Sequence, residues 1–208
     1  AWLPFPAMII SGGEDGSVKW WRALTGELIL ERRGGAAWVE HVKCSPDGLL
    51  VAMAAGKHLR VCNASGEQVF ASDAHASSIT SLAWRNDSHA VVTTNSGGVQ
   101  VFELRSTKPI SALPGQAIYL NCAWSPAGKH LAAGAQENSV TYWKLPLGKK
   151  KPALHMRGYP GKVRQLAWDR TSRFLATGGG QLATVWDVSG KGPAGTTPLQ
   201  LAGHETKL

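Results

Sequence analysis

The stretch KVRQLAWDRTSRFLATGGGQLATVWDVSG, from Lys162 to Gly190, decides the fold. It contains three short apolar runs, VRQLAW, FLATG and ATVWDV, separated by polar or glycine-rich segments. The runs are rich in β-branched and aromatic residues and alternate roughly between the two faces, which is typical of strands in stacked sheets. The same pattern recurs upstream, so the chain is a tandem repeat.

Two sets of residues fix the period of the repeat. The residues that end the third apolar run of successive repeats are Trp21, Cys62, Phe102, Trp143 and Trp186, at intervals of 41, 40, 41 and 43 residues. The residues that end the first run recur at similar intervals, at Trp2, Cys44, Trp84, Trp124 and Trp168. A turn follows this second set, SPDG at 45–48 and SPAG at 125–128, whose proline and glycine positions suit a type I turn.

Each repeat is therefore predicted to hold four consecutive strands joined by turns, the fourth being the shortest. A four-stranded meander cannot bury both of its faces alone. Stacking the repeats face to face buries them, and closing the stack into a ring protects the edges. We predict an all-β fold, a β-propeller of four-stranded antiparallel blades with about five repeats present.

Composition narrows the class of protein. Of the 208 residues, 43% are hydrophobic and 17% charged, as in globular proteins, and no apolar run reaches the roughly 18 residues that span a bilayer. The chain opens without a secretory leader, and Cys44, Cys62 and Cys122 are an odd number without a CxxC spacing, which fits a reducing compartment. We expect a cytoplasmic protein, or a nuclear one in a eukaryote, that is not secreted and has no membrane partner.

The chain resembles the WD-repeat family of β-propellers over essentially its whole length. VWDVSG at 185–190 carries the Trp-Asp dipeptide of that family, and AGHE at 202–205 carries the Gly-His that opens a repeat. The resemblance implies a single, incomplete propeller domain over residues 1–208. Its blades are expected at about 1–32, 38–73, 78–114, 118–157 and 162–202, with the start of a further repeat at 203–208. Because this family most often has about seven blades, we expect an internal piece of a longer propeller, with a closed ring of five blades as the alternative.

One departure from the family bears on stability. In the family, a His, a Ser or Thr, an Asp and the Trp form a hydrogen-bonded set within a blade. The first repeat keeps Ser11, Asp15 and Trp21, whereas the later aspartate positions hold Gly56, Ser96, Glu137 and Gly180. We therefore expect most blades to be held by packing alone, without a buried polar network.

No motif predicts catalysis, a cofactor or a metal. HExxH, GxSxG and GxxxxGK[ST] are all absent. GKGPAG at 190–195 matches GxGxxG, but a strand-like TTPLQL follows it where a dinucleotide site requires a helix. His41 and Cys44 lie near His58 and Cys62 on a neighbouring strand, but their odd spacing places His41 and Cys44 on opposite faces. We predict a protein that is not an enzyme and has neither cofactor nor metal site.

Basic residues leave nucleic acid open as an alternative partner. The net charge is +8, Lys149, Lys150 and Lys151 form a run, and Arg32 and Arg33 form a pair. Binding of a nucleic acid strand requires a continuous basic track with aromatic side chains for stacking. The repeat assigns most tryptophans to core positions, so a solvated turn is the favoured interpretation of the lysine run.

The favoured site is the end of the propeller where the opening loops of the repeats and the tight turns between second and third strands meet. Members of this family often bind partners there. The matching positions are Trp38, Ser78, Ile118 and Lys162 in the opening loops, and Glu14, Asn95 and Gln136 in the tight turns. Trp38 falls outside both aromatic sets and lies near Arg32 and Arg33, and tryptophan and arginine are enriched in interface hot spots.

We predict that the protein is a non-enzymatic scaffold for protein–protein interaction. Its partners are other proteins, bound through the residues Arg33, Trp38, Asn95, Gln136 and Lys162. A nucleic-acid-binding propeller that uses the basic turns, and a propeller enzyme, are the alternatives. The first would show a steep dependence on salt, and the second requires carboxylates or histidines that converge on the channel.

Overall fold

The computed structural model describes residues 1–4, 6–35, 37–114, 117–145 and 153–206. Within these ranges the chain forms twenty β-strands and no helix, and so no helix that could cross a membrane. The strands pair into five four-stranded sheets, all antiparallel, in which each strand neighbours the next one along the chain. The predicted all-β fold of about five four-stranded repeats is therefore confirmed. We number the sheets as blades 1 to 5 in chain order.

Residues 1–114 form the first of two compact units and contain blades 1, 2 and 3. The strands of blade 1 are β1 (Trp2–Leu3), β2 (Met8–Gly12), β3 (Ser17–Arg22) and β4 (Leu28–Arg33). The strands of blade 2 are β5 (Val39–Cys44), β6 (Leu50–Ala55), β7 (His58–Asn63) and β8 (Gln68–Ala71). The strands of blade 3 are β9 (Ser81–Trp84), β10 (Ala90–Asn95), β11 (Gly98–Glu103) and β12 (Ser111–Pro114).

Residues 115–208 form the second unit and contain blades 4 and 5. The strands of blade 4 are β13 (Tyr119–Trp124), β14 (His130–Ala135), β15 (Val140–Lys144) and β16 (Leu154–Met156). The strands of blade 5 are β17 (Gln165–Trp168), β18 (Phe174–Gly178), β19 (Ala183–Asp187) and β20 (Leu199–Leu201).

Strand β6 explains why the second run of a repeat is almost wholly apolar. Side chains alternate between the faces of a strand, so Val51 and Met53 pack into the core shared with blade 1, while Ala52 and Ala54 pack into the core shared with blade 3. Five of its six residues, from Val51 to Ala55, are buried. A strand buried on both faces has no position for a polar side chain in contact with water.

Neighbouring blades within a unit are joined by a repeated backbone hydrogen bond. The N–H of a buried aliphatic residue at the start of a blade donates to a carbonyl at the turn between the second and third strands of the preceding blade. Among the described residues, the three instances are Val39 to Gly13 (3.0 Å), Ile79 to Gly56 (2.8 Å) and Val163 to Ala135 (3.0 Å). We call the end of each blade that carries this turn its top edge, and the opposite end its bottom edge.

At the bottom edge, two serines join neighbouring blades. Ser88 and Ser172 occupy the fourth position of the turn between first and second strands, where blades 2 and 4 have Gly48 and Gly128. Both serines are buried and have left-handed backbones, with φ of 61° and 64°. The Ser88 hydroxyl accepts from the Asp47 N–H at 3.1 Å, and the Ser172 hydroxyl accepts from Ala127, another backbone N–H, at 2.9 Å. At both serines, a hydrogen bond from the preceding blade to the side-chain hydroxyl thus accompanies an unfavourable backbone conformation of the serine.

The expectation that most blades are held by packing alone does not extend to blades 3 and 5, which each contain a buried polar network. In blade 5 the indole of Trp186 donates to the Tyr159 hydroxyl (2.8 Å), which lies 2.7 Å from the hydroxyl of Thr177. Thr177 in turn donates to the Thr184 carbonyl at 3.1 Å. Every donor of this network therefore has an acceptor, because the last one, the Thr177 hydroxyl, donates to a backbone carbonyl. Tyr159 precedes the first strand of blade 5, whereas the family's aspartate position is the turn between the second and third strands.

Blade 3 has a second network, centred on His75. One ring nitrogen lies 3.0 Å from the Lys57 carbonyl and the other 2.8 Å from the hydroxyl of Thr93. A carbonyl only accepts, so Nδ1 carries the proton and Nε2 accepts from Thr93. Blade 1 keeps the predicted bond from Trp21 to Ser11 (2.8 Å), but its Asp15 binds Ser17 instead.

Candidate functional site

Trp38 is the most prominent of the predicted contact residues, because 57% of its surface is exposed. It lies in the segment that joins blade 1 to blade 2, of which residues 33–35 and 37–39 are described. Its neighbour Val39 is buried and donates its N–H to Gly13. The indole is therefore presented to solvent by a backbone that is bonded to the preceding blade.

Two arginines form hydrogen bonds at the start of the segment that leads to this tryptophan. The Arg33 guanidinium donates through Nη1 to the Asp15 carbonyl at 2.9 Å. The Arg60 guanidinium, on strand β7, donates through Nη1 to the Gly34 carbonyl. Arg60 was not among the predicted residues, and no motif marks it, since its partner lies 26 residues earlier in the chain. Together, the two bonds fix the path of the backbone that leads to Trp38.

The basic pair Arg32 and Arg33 does not act as one patch. Consecutive residues of a strand point to opposite faces, and both belong to β4. Arg32 donates to the Glu31 carbonyl at 3.1 Å, whereas Arg33 binds across to the turn of blade 1. Hydrogen bonds from Ser17 lower the pKa of Asp15 in that turn, and the charge of Arg33 contributes to the shift. The other basic feature, Lys149–Lys151, lies outside the described residues.

Asn95, which the sequence predicted to be a contact residue, is buried. Its side chain is only 3% exposed, and its amide oxygen accepts from the Gly97 N–H at 2.6 Å, which closes the turn. Asn95 is the last residue of β10, whereas Gln136 follows the last residue of β14. The position in blade 3 that corresponds to Gln136 is therefore Ser96, which is exposed and donates to the Ser77 hydroxyl at 2.7 Å.

In the second unit the structure brings Gln136 and Lys162 together. Each is adjacent in sequence to one partner of the hydrogen bond between Val163 and Ala135, and both side chains are exposed. The backbone N–H of Gln136 donates to the Ile118 carbonyl at 2.9 Å. The N–H of Ile118 donates to the Glu137 carboxylate, at 3.1 and 3.2 Å from its two oxygens.

The same geometry recurs at each top-edge junction of the described residues. Two exposed side chains flank each backbone hydrogen bond that joins neighbouring blades. The pairs are Glu14 with Trp38, Lys57 with Ser78, and Gln136 with Lys162. Lys57 was missed because its turn, AAGKH, shows no feature beyond a glycine. The pairs differ in chemistry although their backbone frame is the same, so each junction presents a different surface to solvent.

Comparison with protein families supplies matches over most of the chain. The family described as "WD domain, G-beta repeat" matches residues 1–22, 107–144 and 150–187. The family described as "Anaphase-promoting complex subunit 4 WD40 domain" matches residues 42–122.

Two curated relatives are similar to parts of this chain. The small ribosomal subunit protein RACK1y of Oryza sativa subsp. japonica is 29% identical over 152 residues, which cover 68% of this chain and 45% of the relative. The target of rapamycin complex subunit wat1 of Schizosaccharomyces pombe (strain 972 / ATCC 24843) is 26% identical over 155 residues, 67% of this chain and 49% of that protein. The chain thus matches about half the length of each.

Proposed function

We propose, from the premise that this chain belongs to the WD-repeat family of β-propellers, that it is a non-enzymatic scaffold for other proteins. Partners bind along the top edges of the blades, and Trp38 is the principal contact. Both relatives are named as components of larger assemblies, a ribosomal subunit and a target of rapamycin complex, which supports a role in assembly.

The observation that carries the proposal is an exposed indole on a fixed backbone. Trp38 is more than half exposed, while bonds at Gly34, Val39 and Asp15 hold its segment in place. Tryptophan is among the residues most enriched in interface hot spots, where truncation to alanine costs at least about 2 kcal/mol of binding free energy. A fixed backbone loses little conformational entropy on association, so more of the contact energy appears as affinity.

The cysteines support the proposed cytoplasmic or nuclear location. Cys44, Cys62 and Cys122 are all free thiols, as is usual in reducing compartments. Burial raises the pKa of the Cys44 and Cys62 thiols. Both are therefore protonated near neutral pH. In this proposal Cys62 lies in the core and Cys44 packs against it, without a role as nucleophiles.

The experiment compares partner capture by the 208-residue chain and two matched variants. Trp38→Ala removes the exposed indole at the top edge, and Trp2→Ala removes one of almost the same exposure, 56%, from a sheet face of blade 1. Proteins retained from a lysate of the source cells are quantified by mass spectrometry. The dissociation constant of the most abundant one is then measured with purified components.

We expect Trp38→Ala to weaken that affinity by about 30-fold or more, as follows from a loss of about 2 kcal/mol, with the fold intact by circular dichroism. Trp2→Ala should leave the affinity unchanged. Equal affinities for wild type and Trp38→Ala would contradict the proposal. If nuclease abolishes the retention of proteins from the lysate, and retention falls steeply as the salt concentration rises, the nucleic-acid-binding alternative is favoured.

A further inference from the structure

A groove at the bottom edge between blades 4 and 5 is lined by three cationic side chains. Lys129 and Lys144 come from blade 4, and Arg173 comes from blade 5. The groove has a volume of about 560 Å³, and the rest of its lining is made of His130, Leu145, Thr171, Ser172, Val188, Ser189 and Gly190. It lies at the opposite end of these blades from Gln136 and Lys162.

The two lysines are brought together by the sheet. Lys129 immediately precedes β14, and its carbonyl accepts from the Leu145 N–H at 2.8 Å. Lys144 is the strand partner of His130. Both ammonium groups are exposed, and neither forms an ion pair with a carboxylate of the described residues. The groove therefore holds two positive charges that the described part of the protein does not neutralise.

Arg173 differs, because Asp187 already neutralises it. Its Nε and Nη2 donate to one carboxylate oxygen, Oδ2, at 3.0 and 2.7 Å. This pairing fixes the guanidinium, which has five N–H donors and uses two of them here. The hydroxyl of Ser172 accepts from the Ala127 N–H and keeps its own hydrogen as a donor. The lining thus combines unneutralised charge with oriented N–H and O–H donors.

The equivalent groove between blades 2 and 3 shows that this charge is not a general feature of the fold. That groove has about 410 Å³ and is lined at matching positions by Leu49, Leu50 and Ser88. Its charged lining is balanced, with the carboxylates Asp47 and Glu103 against the guanidiniums Arg85 and Arg105. At one of the matching positions, the groove of blades 4 and 5 has Lys129 where the groove of blades 2 and 3 has the neutral Leu49.

We propose that the groove lined by Lys129, Lys144 and Arg173 binds a phosphoryl group. Two free ammonium groups match the charge of a phosphoryl dianion, and several converging donors suit its tetrahedral set of acceptor oxygens. The volume admits the phosphoryl group together with the side chain or small molecule that carries it. A nucleic acid strand is disfavoured, since no tryptophan, tyrosine or phenylalanine among the described residues lines the groove to stack on a base.

His130 provides a built-in reporter for this site. Its ring stacks on Tyr142 and Trp168, with centroids 5.5 and 6.0 Å apart, and Nδ1 lies 2.8 Å from the Tyr142 hydroxyl. Burial lowers the pKa of His130, and the charges of Lys144 and Lys129 lower it further. A bound dianion offsets those charges, so occupancy raises the pKa of His130.

The test follows the imidazole resonances of His130 by NMR during titration with three probes. These are inorganic phosphate, a five-residue peptide with a central phosphoserine, and the same peptide with serine. Lys129→Gln/Lys144→Gln removes the two free charges. Arg105→Gln/Lys108→Gln removes two exposed charges from the other unit and serves as the matched control.

We expect saturable shifts with the two phosphoryl probes, a raised His130 pKa, and an affinity at least about tenfold weaker in the lysine variant than in the control. Tighter binding of the phosphopeptide than of phosphate would support the proposal and identify a partner segment as the source. Equal affinities would support it and indicate a free phosphorylated ligand. Absence of saturation, equal affinity in the lysine variant, or equal shifts with the unphosphorylated peptide would overturn it.

Discussion

The hydroxyl of Ser88 accepts a hydrogen bond from the backbone N–H of Asp47 at 3.1 Å, although the two residues are 41 positions apart. The bond crosses from blade 3 to blade 2, and Ser88 makes it from a left-handed backbone with φ of 61°. Glycine would adopt this backbone more readily than serine, so the hydroxyl and the backbone conformation have opposite effects on stability.

Substitution at this position separates the two effects. Ser88→Ala loses the bond and keeps the strained backbone, so we expect it to lower the free energy of unfolding by about 1–2 kcal/mol. Ser88→Gly loses the bond but relieves about 1 kcal/mol of strain, and it should be less destabilising. Urea unfolding measures both, with the exposed Ser78→Ala as control. A glycine variant that is less stable than the alanine variant would refute this account.

The network in blade 5 depends on one hydroxyl. Tyr159→Phe leaves the buried indole N–H of Trp186 without its acceptor and removes a partner of Thr177. Because an unsatisfied buried donor costs about 1–3 kcal/mol, we expect a loss of about 2 kcal/mol in unfolding free energy. Tyr119→Phe, which removes a longer bond of 3.2 Å to Thr141, should cost less. Thermal and urea unfolding of the two variants give the comparison, and equal losses would speak against the network.

Three histidines, one of them buried and two partly buried, lead us to predict how stability depends on pH. Burial lowers the pKa of His41, His75 and His130 below 6.5. Below pH 6.5 the unfolded chain takes up protons that the folded protein does not, so stability is full above that pH and falls as the pH drops toward the folded pKa values. We expect the Tm to be level between pH 7 and 8 and lower at pH 5.5. His75→Gln should be less stable at pH 7.5 but lose less between the two conditions, and a Tm that rises on acidification would exclude this mechanism.

A glycine in β14 permits the close approach of blades 4 and 5. A Cβ added at Gly134 would lie 2.4 Å from the Val163 carbonyl oxygen, a backbone atom that cannot rotate away. We expect Gly134→Ala to separate the blades at the Val163–Ala135 bond and to cost at least about 2 kcal/mol of unfolding free energy. Gly26→Ala, at a left-handed turn with open space around it, should cost only about 1 kcal/mol. Hydrogen exchange of the Val163 amide reports the junction directly, and unchanged protection in Gly134→Ala would contradict this prediction.

The sequence was sufficient to predict the sheets, because the period and the turn residues are local signals. It predicted Trp38 as exposed only through a break in the pattern, where an aromatic falls outside both repeating sets. It misplaced Asn95 by one residue, because NSGG offers no marker for where the strand ends. In a hairpin, a shift of one position exchanges a buried side chain for an exposed one.

The residues that hold the site were harder to predict. Arg60 donates a hydrogen bond to a carbonyl 26 residues away. Tyr159 lies in the loop before blade 5, and its hydroxyl forms hydrogen bonds with Thr177 and Trp186 of that blade. Such contacts depend on how sheets stack, and that arrangement is not encoded in the spacing of any short motif. Similarly, the cationic groove unites Lys129 with Arg173, which belong to different repeats.

The junction between blades 2 and 3 is bonded at both ends of β6, by Ile79 to Gly56 at one end and by Ser88 to Asp47 at the other. These two hydrogen bonds lie roughly 17 Å apart, the length of a six-residue strand. With one hydrogen bond, the two blades could rotate about it or slide past each other. Two hydrogen bonds at opposite ends of the strand restrict both motions. We therefore expect blades 2 and 3 to respond to an applied force as one stiff body.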